Sequence, residues 1–123
     1  MMKESPTRRM GFFRLFLTVT IFIFTFLPSP SAAETVYVKY RGLVDLSPFK
    51  CHLITRSSFV NRLCYDRQEK YVIVKLKNTY YHYCEVPPDI VMDWLKADSI
   101  GRFYNANIKG RFDCRKNYVP PYR

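Results

Sequence analysis

The sequence predicts an α+β domain: a three-stranded antiparallel meander carrying two short helices on one face, with an N-terminal arm and a C-terminal tail stapled by disulfides to the other. Three observations lead there. Apolar and polar residues alternate in short stretches between residues 59 and 86, with polar turns between them. A helical apolar stripe follows directly. All four cysteines lie beyond the first third of the chain.

In chain order the first element is a leader. Lys3, Arg8, Arg9 and Arg14 precede an uncharged run of 13 residues, 15–27 (LFLTVTIFIFTFL), which Pro28-Ser29-Pro30 ends ahead of Ser31-Ala32-Ala33. Charged start, apolar middle and small-residue exit are the parts of a secretory signal peptide, so residues 1–33 read as a leader cleaved after Ala33. A retained membrane anchor is the rival. Length argues against it, because crossing ~30 Å of hydrocarbon takes about 20 apolar residues. The expected location is exported, periplasmic or secreted, with membrane contact only through the leader.

Residues 34–56 are irregular: a short alternation from Val36 to Tyr40, then Gly42, Pro48 and polar residues. They read as an extended arm with one edge strand. Residues 59–66 form a strand, and the polar turn Arg67-Gln68-Glu69-Lys70 leads into residues 71–76, where Val72, Val74 and Leu76 alternate with Tyr71, Ile73 and Lys75. Lys77-Asn78 is long enough for a hairpin loop, and residues 79–86 make the third strand. Pairing outward from these turns sets Leu76 opposite Thr79, Val74 opposite Tyr81 and Val72 opposite Tyr83, with Tyr65 opposite Val72 and Leu63 opposite Val74. Leu63, Tyr65, Val72, Val74, Leu76, Tyr81 and Tyr83 then share one face.

That face needs a cover. Pro87-Pro88-Asp89 suits a helix start, and Ile90, Val91, Trp94 and Leu95 recur at helical spacing. Ser99 caps a second short helix carrying Phe103, Tyr104 and Ile108, with Gly110 as its stop. The tail, residues 113–123, reads as irregular.

Cys64 and Cys84 fall on the opposite face, on strands flanking the middle one. Two strand spacings of ~4.8 Å separate them by about 9.6 Å, beyond the roughly 7 Å a disulfide tolerates. Each must therefore pair with Cys51 or Cys114. Proximity in sequence favours Cys51 with Cys64 and Cys84 with Cys114, and the crossed pairing stays open. Spacings of 13, 20 and 30 residues lack the CxxC knuckles of structural zinc sites and of thiol oxidoreductases.

Ser57-Ser58, Tyr65-Asp66, Tyr81-His82-Tyr83, Val86-Pro87 and the string SIGRFYNANIKG at residues 99–110 occur in that order. Through them the segment 57–112 resembles the KTSC domain, a short module found at the C-terminus of some lysyl-tRNA synthetases and as a stand-alone bacterial protein. The resemblance marks Tyr81, Tyr83, Gly101, Phe103 and Gly110 as family-motif positions. It implies no assigned biochemical role, and RNA binding is what the synthetase context suggests. The leader and the cysteine-tied arm and tail depart from that context and weigh against RNA.

The formal net charge is +10, and without Lys3, Arg8, Arg9, Arg14 and Glu4 it is 16 basic against 9 acidic residues, or +7. These charges are scattered, which gives a general preference for anions rather than a defined nucleic-acid site. Arg102, Asn105, Asn107 and Lys109 are the candidate ligand surface, with Gly101 letting backbone approach a partner. Tyr81 and Tyr83 could stack bases or sugars, but the register puts them under the helices. His82 and His52 lack a matching carboxylate or nucleophile. With no phosphate loop, GxSxG or HExxH, the sequence offers no catalytic residue, cofactor or metal site. The expectation is a small binding or structural module, not an enzyme, contacting an anionic envelope polymer or lipid, or a protein. A nucleic-acid-binding module is the alternative.

Overall fold

The computed structural model describes residues 21–26 and 33–122. The leader reading lies mostly outside these residues. Residues 21–26 are exposed and form neither helix nor strand, and among the described residues no helix is long and apolar enough to cross a membrane. The Glu34 carbonyl accepts the Leu46 N–H at 2.8 Å, just ahead of the first strand.

Six strands follow: β1 (Thr35–Val38), β2 (Gly42–Asp45), β3 (Lys50–Leu53), β4 (Val60–Asp66), β5 (Tyr71–Leu76) and β6 (Thr79–Tyr83). They form one sheet in the order β2-β1-β6-β5-β4-β3. Its centre has the register expected from the two turns: Leu63 faces Val74, Tyr65 faces Val72, and Val74 and Val72 face Tyr81 and Tyr83. Asp66 shapes the first turn by accepting the N–H groups of Gln68 (3.1 Å) and Glu69 (3.4 Å).

The expected three-stranded meander, with its arm laid across the back, is corrected by this topology. The arm supplies three strands, not one. The β1–β2 hairpin joins the β6 edge through a parallel rung between Val38 and Tyr80, and β3 runs antiparallel to β4 at the other edge, so the sheet is mixed and six-stranded. The physical reason is that a bare meander would leave both edges with unpaired backbone groups, and the arm satisfies them. The third strand also stops at Tyr83 instead of reaching Val86, because Glu85 adopts a left-handed φ of 55°.

The sheet curls. Three strand spacings of ~4.8 Å would hold the start of β1 about 14 Å from β4 if it were flat, yet Arg62 Nη2 on β4 donates to Glu34 Oε2 at 2.9 Å. Inside the curl lie Val38, Val44, Leu46, Cys64, Tyr71, Ile73 and Cys84, closed over by Phe49 and by Tyr122 of the tail. On the outer face, Leu63, Val72 and Val74 meet Val91, Trp94, Ile100, Tyr104 and Ile108 of the helical layer.

That layer comprises α1 (Pro88–Lys96), α2 (Ile100–Phe103) and a π-helical turn (Tyr104–Ile108). Trp94 is fully buried and donates its indole N–H to the Ile100 carbonyl at 3.2 Å, which ties α1 to α2. Ser99 caps α2 by accepting the Arg102 N–H at 3.2 Å, and Gly110, at φ +76°, ends the segment. Arg56 satisfies the α1 C-terminus, donating to the carbonyls of Leu95 (2.9 Å) and Ala97 (2.7 Å).

Cys51 is bonded to Cys64, its direct partner across β3 and β4, and Cys84 to Cys114 in the tail. Sequence separations of 13 and 30 correspond to about 3 and 3.6 kcal/mol of lost unfolded-state entropy, respectively, in the loop-closure model.

Candidate functional site

The site grows from an interrupted strand ladder. Tyr80 accepts the Lys39 N–H from the β1 side at 2.9 Å, and Cys84 donates its N–H to the Phe112 carbonyl at 2.9 Å. Backbone groups alternate sides along a strand, so His82, midway between them, also presents its N–H and C=O outward. Among the described residues no backbone bond from β1 or the tail reaches it. This gap floors a cleft of ≈ 850 Å³, walled by Tyr40 and Arg41 of the β1–β2 turn, Tyr81 and Tyr83 of β6, and Gly110, Arg111, Asp113, Cys114, Arg115 and Val119.

Arg41 is the cleft's principal charge. Its guanidinium carbon lies 5.1 Å from the Tyr71 ring centroid and 5.2 Å from that of Tyr122, and Nη2 donates to the Pro120 carbonyl at 2.6 Å. Nη1 is buried and has no hydrogen-bond partner among the described residues. The contacts with the two phenol rings offset part of the cost of burying this charge. Arg111 is exposed at the rim, whereas Arg115 is paired with Asp113 (Nη2–Oδ2 2.7 Å). Hydrogen bonds from the Arg115 side chain and backbone hold the Asp113 carboxyl down at about 2.

His82 is half-buried, with Nδ1 2.7 Å from the Tyr71 hydroxyl. Burial first, then the Arg41 charge, lower its pKa, with Asp113 opposing, so the ring is neutral at pH 7. Burial pushes the Tyr71 phenol up to about 12. One nitrogen of His82 and the sulfurs of Cys84 and Cys114 lie within 4.8 Å of one another, the sulfurs being joined in the disulfide. A second cleft, of ≈ 570 Å³, is lined by Glu34, Cys51, Arg62, Lys75 and Tyr80, and its acid is already paired with Arg62.

The residues singled out from sequence are distributed otherwise. Arg102, Asn105 and Lys109 are exposed on the helical layer and line neither cleft, and Asn107 Nδ2 donates to the Phe103 carbonyl at 3.3 Å. Gly101 approaches Phe59, not a ligand: a Cβ there would stand 2.6 Å from the Phe59 ring. Phe103 stacks on Trp94 with centroids 6.4 Å apart. The Tyr83 hydroxyl lies 2.6 Å from that of Tyr104 beneath the helical layer, and Tyr81 packs against the same core. Of the family-motif positions, Tyr81, Tyr83 and Gly110 line the β6 cleft. Sequence reasoning missed Arg41 altogether. The spacing of His82 and Cys84, two apart where β6 ends, was the one local signal of the site.

Residues 56–112 match the KTSC domain family model. A protein of Tsukamurella paurometabola is 40% identical over 58 residues, which span 46% of this chain and 85% of that one. An uncharacterized protein of Stutzerimonas stutzeri is 36% identical over 55 residues, spanning 44% and 78% respectively. The crystal structure of a KTSC domain protein from Yersinia pestis superposes with a TM-score of 0.50 at 26% identity, covering 53% of this chain and 92% of that protein. The family segment contains β4 to β6 and the helical layer, so each disulfide joins a cysteine inside it to one outside, and Arg41 comes from outside. Fold and comparisons together place this chain in the KTSC domain family.

Proposed function

We propose that this chain is an exported binding module whose β6 cleft receives an anionic group, phosphate or carboxylate, of an envelope polymer or lipid. The observation that carries the reading is the convergence of two arginines, Arg41 and Arg111, on the lining of one cleft. The outward N–H of His82 adds a donor on the floor. Export is supported by the reading of residues 1–33 as a leader and by two disulfides, which are compatible with an oxidising compartment. The role is binding without catalysis: the His82 ring is neutral and engaged by a phenol, and the cleft's carboxylate, Asp113, is committed to Arg115.

The test uses phosphatidylglycerol vesicles, neutral phosphatidylcholine vesicles and a single-stranded RNA oligonucleotide at matched salt. Binding to the anionic vesicles should weaken about tenfold in Arg41→Gln/Arg111→Glu, the loss of roughly one charge-assisted hydrogen bond. Arg102 and Lys109 contribute positive charge outside the cleft, and Arg102→Ala/Lys109→Ala should weaken binding less. Equal binding by the folded cleft variant, or tighter binding to RNA than to anionic vesicles, would overturn the reading.

A further inference from the structure

The floor of the same cleft carries a second chemistry in its sulfur atoms. We propose that, once the Cys84–Cys114 disulfide is reduced, Cys84, Cys114 and His82 form a three-ligand zinc site.

The argument is geometric. Cys84 lies just past the end of β6, two residues after His82, and its backbone N–H still points to the outward side of the strand, so the two side chains leave the same face. Cys114 is brought to them from the tail, and the three ligand atoms already lie within 4.8 Å of one another. Zinc bonds of ~2.3 Å to sulfur and ~2.0 Å to nitrogen put tetrahedral ligand atoms about 3.5–3.8 Å apart. The imidazole must therefore close by about 1 Å, and the sulfurs must separate by about 1.7 Å from the ~2.05 Å of an S–S bond. Cys114 sits in an irregular segment that can supply this movement. The Tyr71 hydroxyl engages Nδ1, which orients the ring and leaves Nε2 for the metal.

Three protein ligands leave the fourth position facing the cleft, an open-site arrangement that admits water or a ligand. Zn²⁺ with two thiolates is neutral, so the arginines of the cleft do not oppose it. A dithiol reductant supplies two electrons and two protons, itself becoming a disulfide, and zinc then displaces both thiol protons to solvent. The Cys51–Cys64 pair lacks this arrangement, since neighbouring His52 alternates to the other side of β3.

The experiment takes the full chain as Cys51→Ser/Cys64→Ser, reduces it with a phosphine, removes the reductant anaerobically and titrates Co²⁺, then Zn²⁺. Thiolate-to-cobalt charge-transfer absorption should saturate at about one equivalent, disappear on adding zinc, and be absent from the oxidised protein. His82→Gln in that background should weaken cobalt binding at least tenfold. A folded, reduced chain without the absorption, or His82→Gln with unchanged affinity, would overturn the proposal. Should that background not fold, the fully reduced four-cysteine chain is compared with Cys84→Ser/Cys114→Ser. Absorption surviving in the latter assigns the metal to the other pair and equally refutes the site.

Discussion

Tyr83 belongs to a motif that could serve as an exposed stacking platform, and a double-mutant cycle with Tyr104 tests whether it is core instead. The two hydroxyls are 2.6 Å apart, Tyr104 is 6% exposed, and burial followed by the Tyr104 hydrogen bond raises the Tyr83 pKa. Tyr83→Phe strands the Tyr104 hydroxyl where water scarcely reaches, so it should cost about 2 kcal/mol, a lost hydrogen bond plus an unsatisfied buried group. Tyr104→Phe leaves the half-buried Tyr83 hydroxyl, which water can approach from the cleft, and should cost about 1 kcal/mol. The double variant strands nothing and should cost under about 1 kcal/mol, so the coupling is about 2 kcal/mol. Urea unfolding with disulfides intact reads all four species. Additive single effects, giving a double variant about 3 kcal/mol weaker, would refute the pairing and return Tyr83 to the list of free surface aromatics.

Two further outcomes are expected. Gly101→Ala places a methyl 2.6 Å from the Phe59 ring, so overpacking of about 1–3 kcal/mol should outweigh the up to about 1 kcal/mol gained in helix propensity. Unfolding midpoints should fall in Gly101→Ala and recover in a Phe59→Leu background; a rise in the single variant would refute the contact. The Tyr122 hydroxyl donates to Asp66 Oδ2 at 2.7 Å, and burial, then this bond, raises its pKa. Folding favours the neutral phenol, so that contribution is fully present below the unfolded value near 10 and is lost as pH rises through the higher folded value. Tyr122→Phe should cost about 1–2 kcal/mol at pH 7 by depriving the buried Asp66 of a donor, and should flatten part of the alkaline loss of stability. An unchanged slope would show that the tail is not anchored there.

The central strands were legible because two polar turns, at residues 67–70 and 77–78, each fixed a register that the alternation of valines and tyrosines confirmed. The helical layer was legible for a similar reason: Pro88, Ser99 and Gly110 mark its ends, and Trp94 its buried stripe. The arm was not, beyond its one expected edge strand. Its other two strands are four residues long, too short for alternation to stand out, and the β1 pairing with Tyr80 lies far along the chain. The β6 cleft was illegible because it is tertiary: Arg41, His82 and Arg111 share no motif, and an unpartnered guanidinium nitrogen is a property of packing alone. The close approach at Gly101 was legible but its neighbour was not, because a ligand and a phenylalanine ring leave the same trace in sequence.

The inner core also sets a timetable. Its closing contacts span most of the polypeptide: Arg41 to Pro120 bridges 79 positions and Asp66 to Tyr122 bridges 56. A chain emerging amino end first, from a ribosome or through a membrane pore, can assemble the outer layer once residue 108 is out but cannot seal the concave side until its last few residues follow. Until then Cys84 lacks its native partner Cys114, and the Cys51–Cys64 bond must already hold the two earlier thiols if Cys84 is to wait for it.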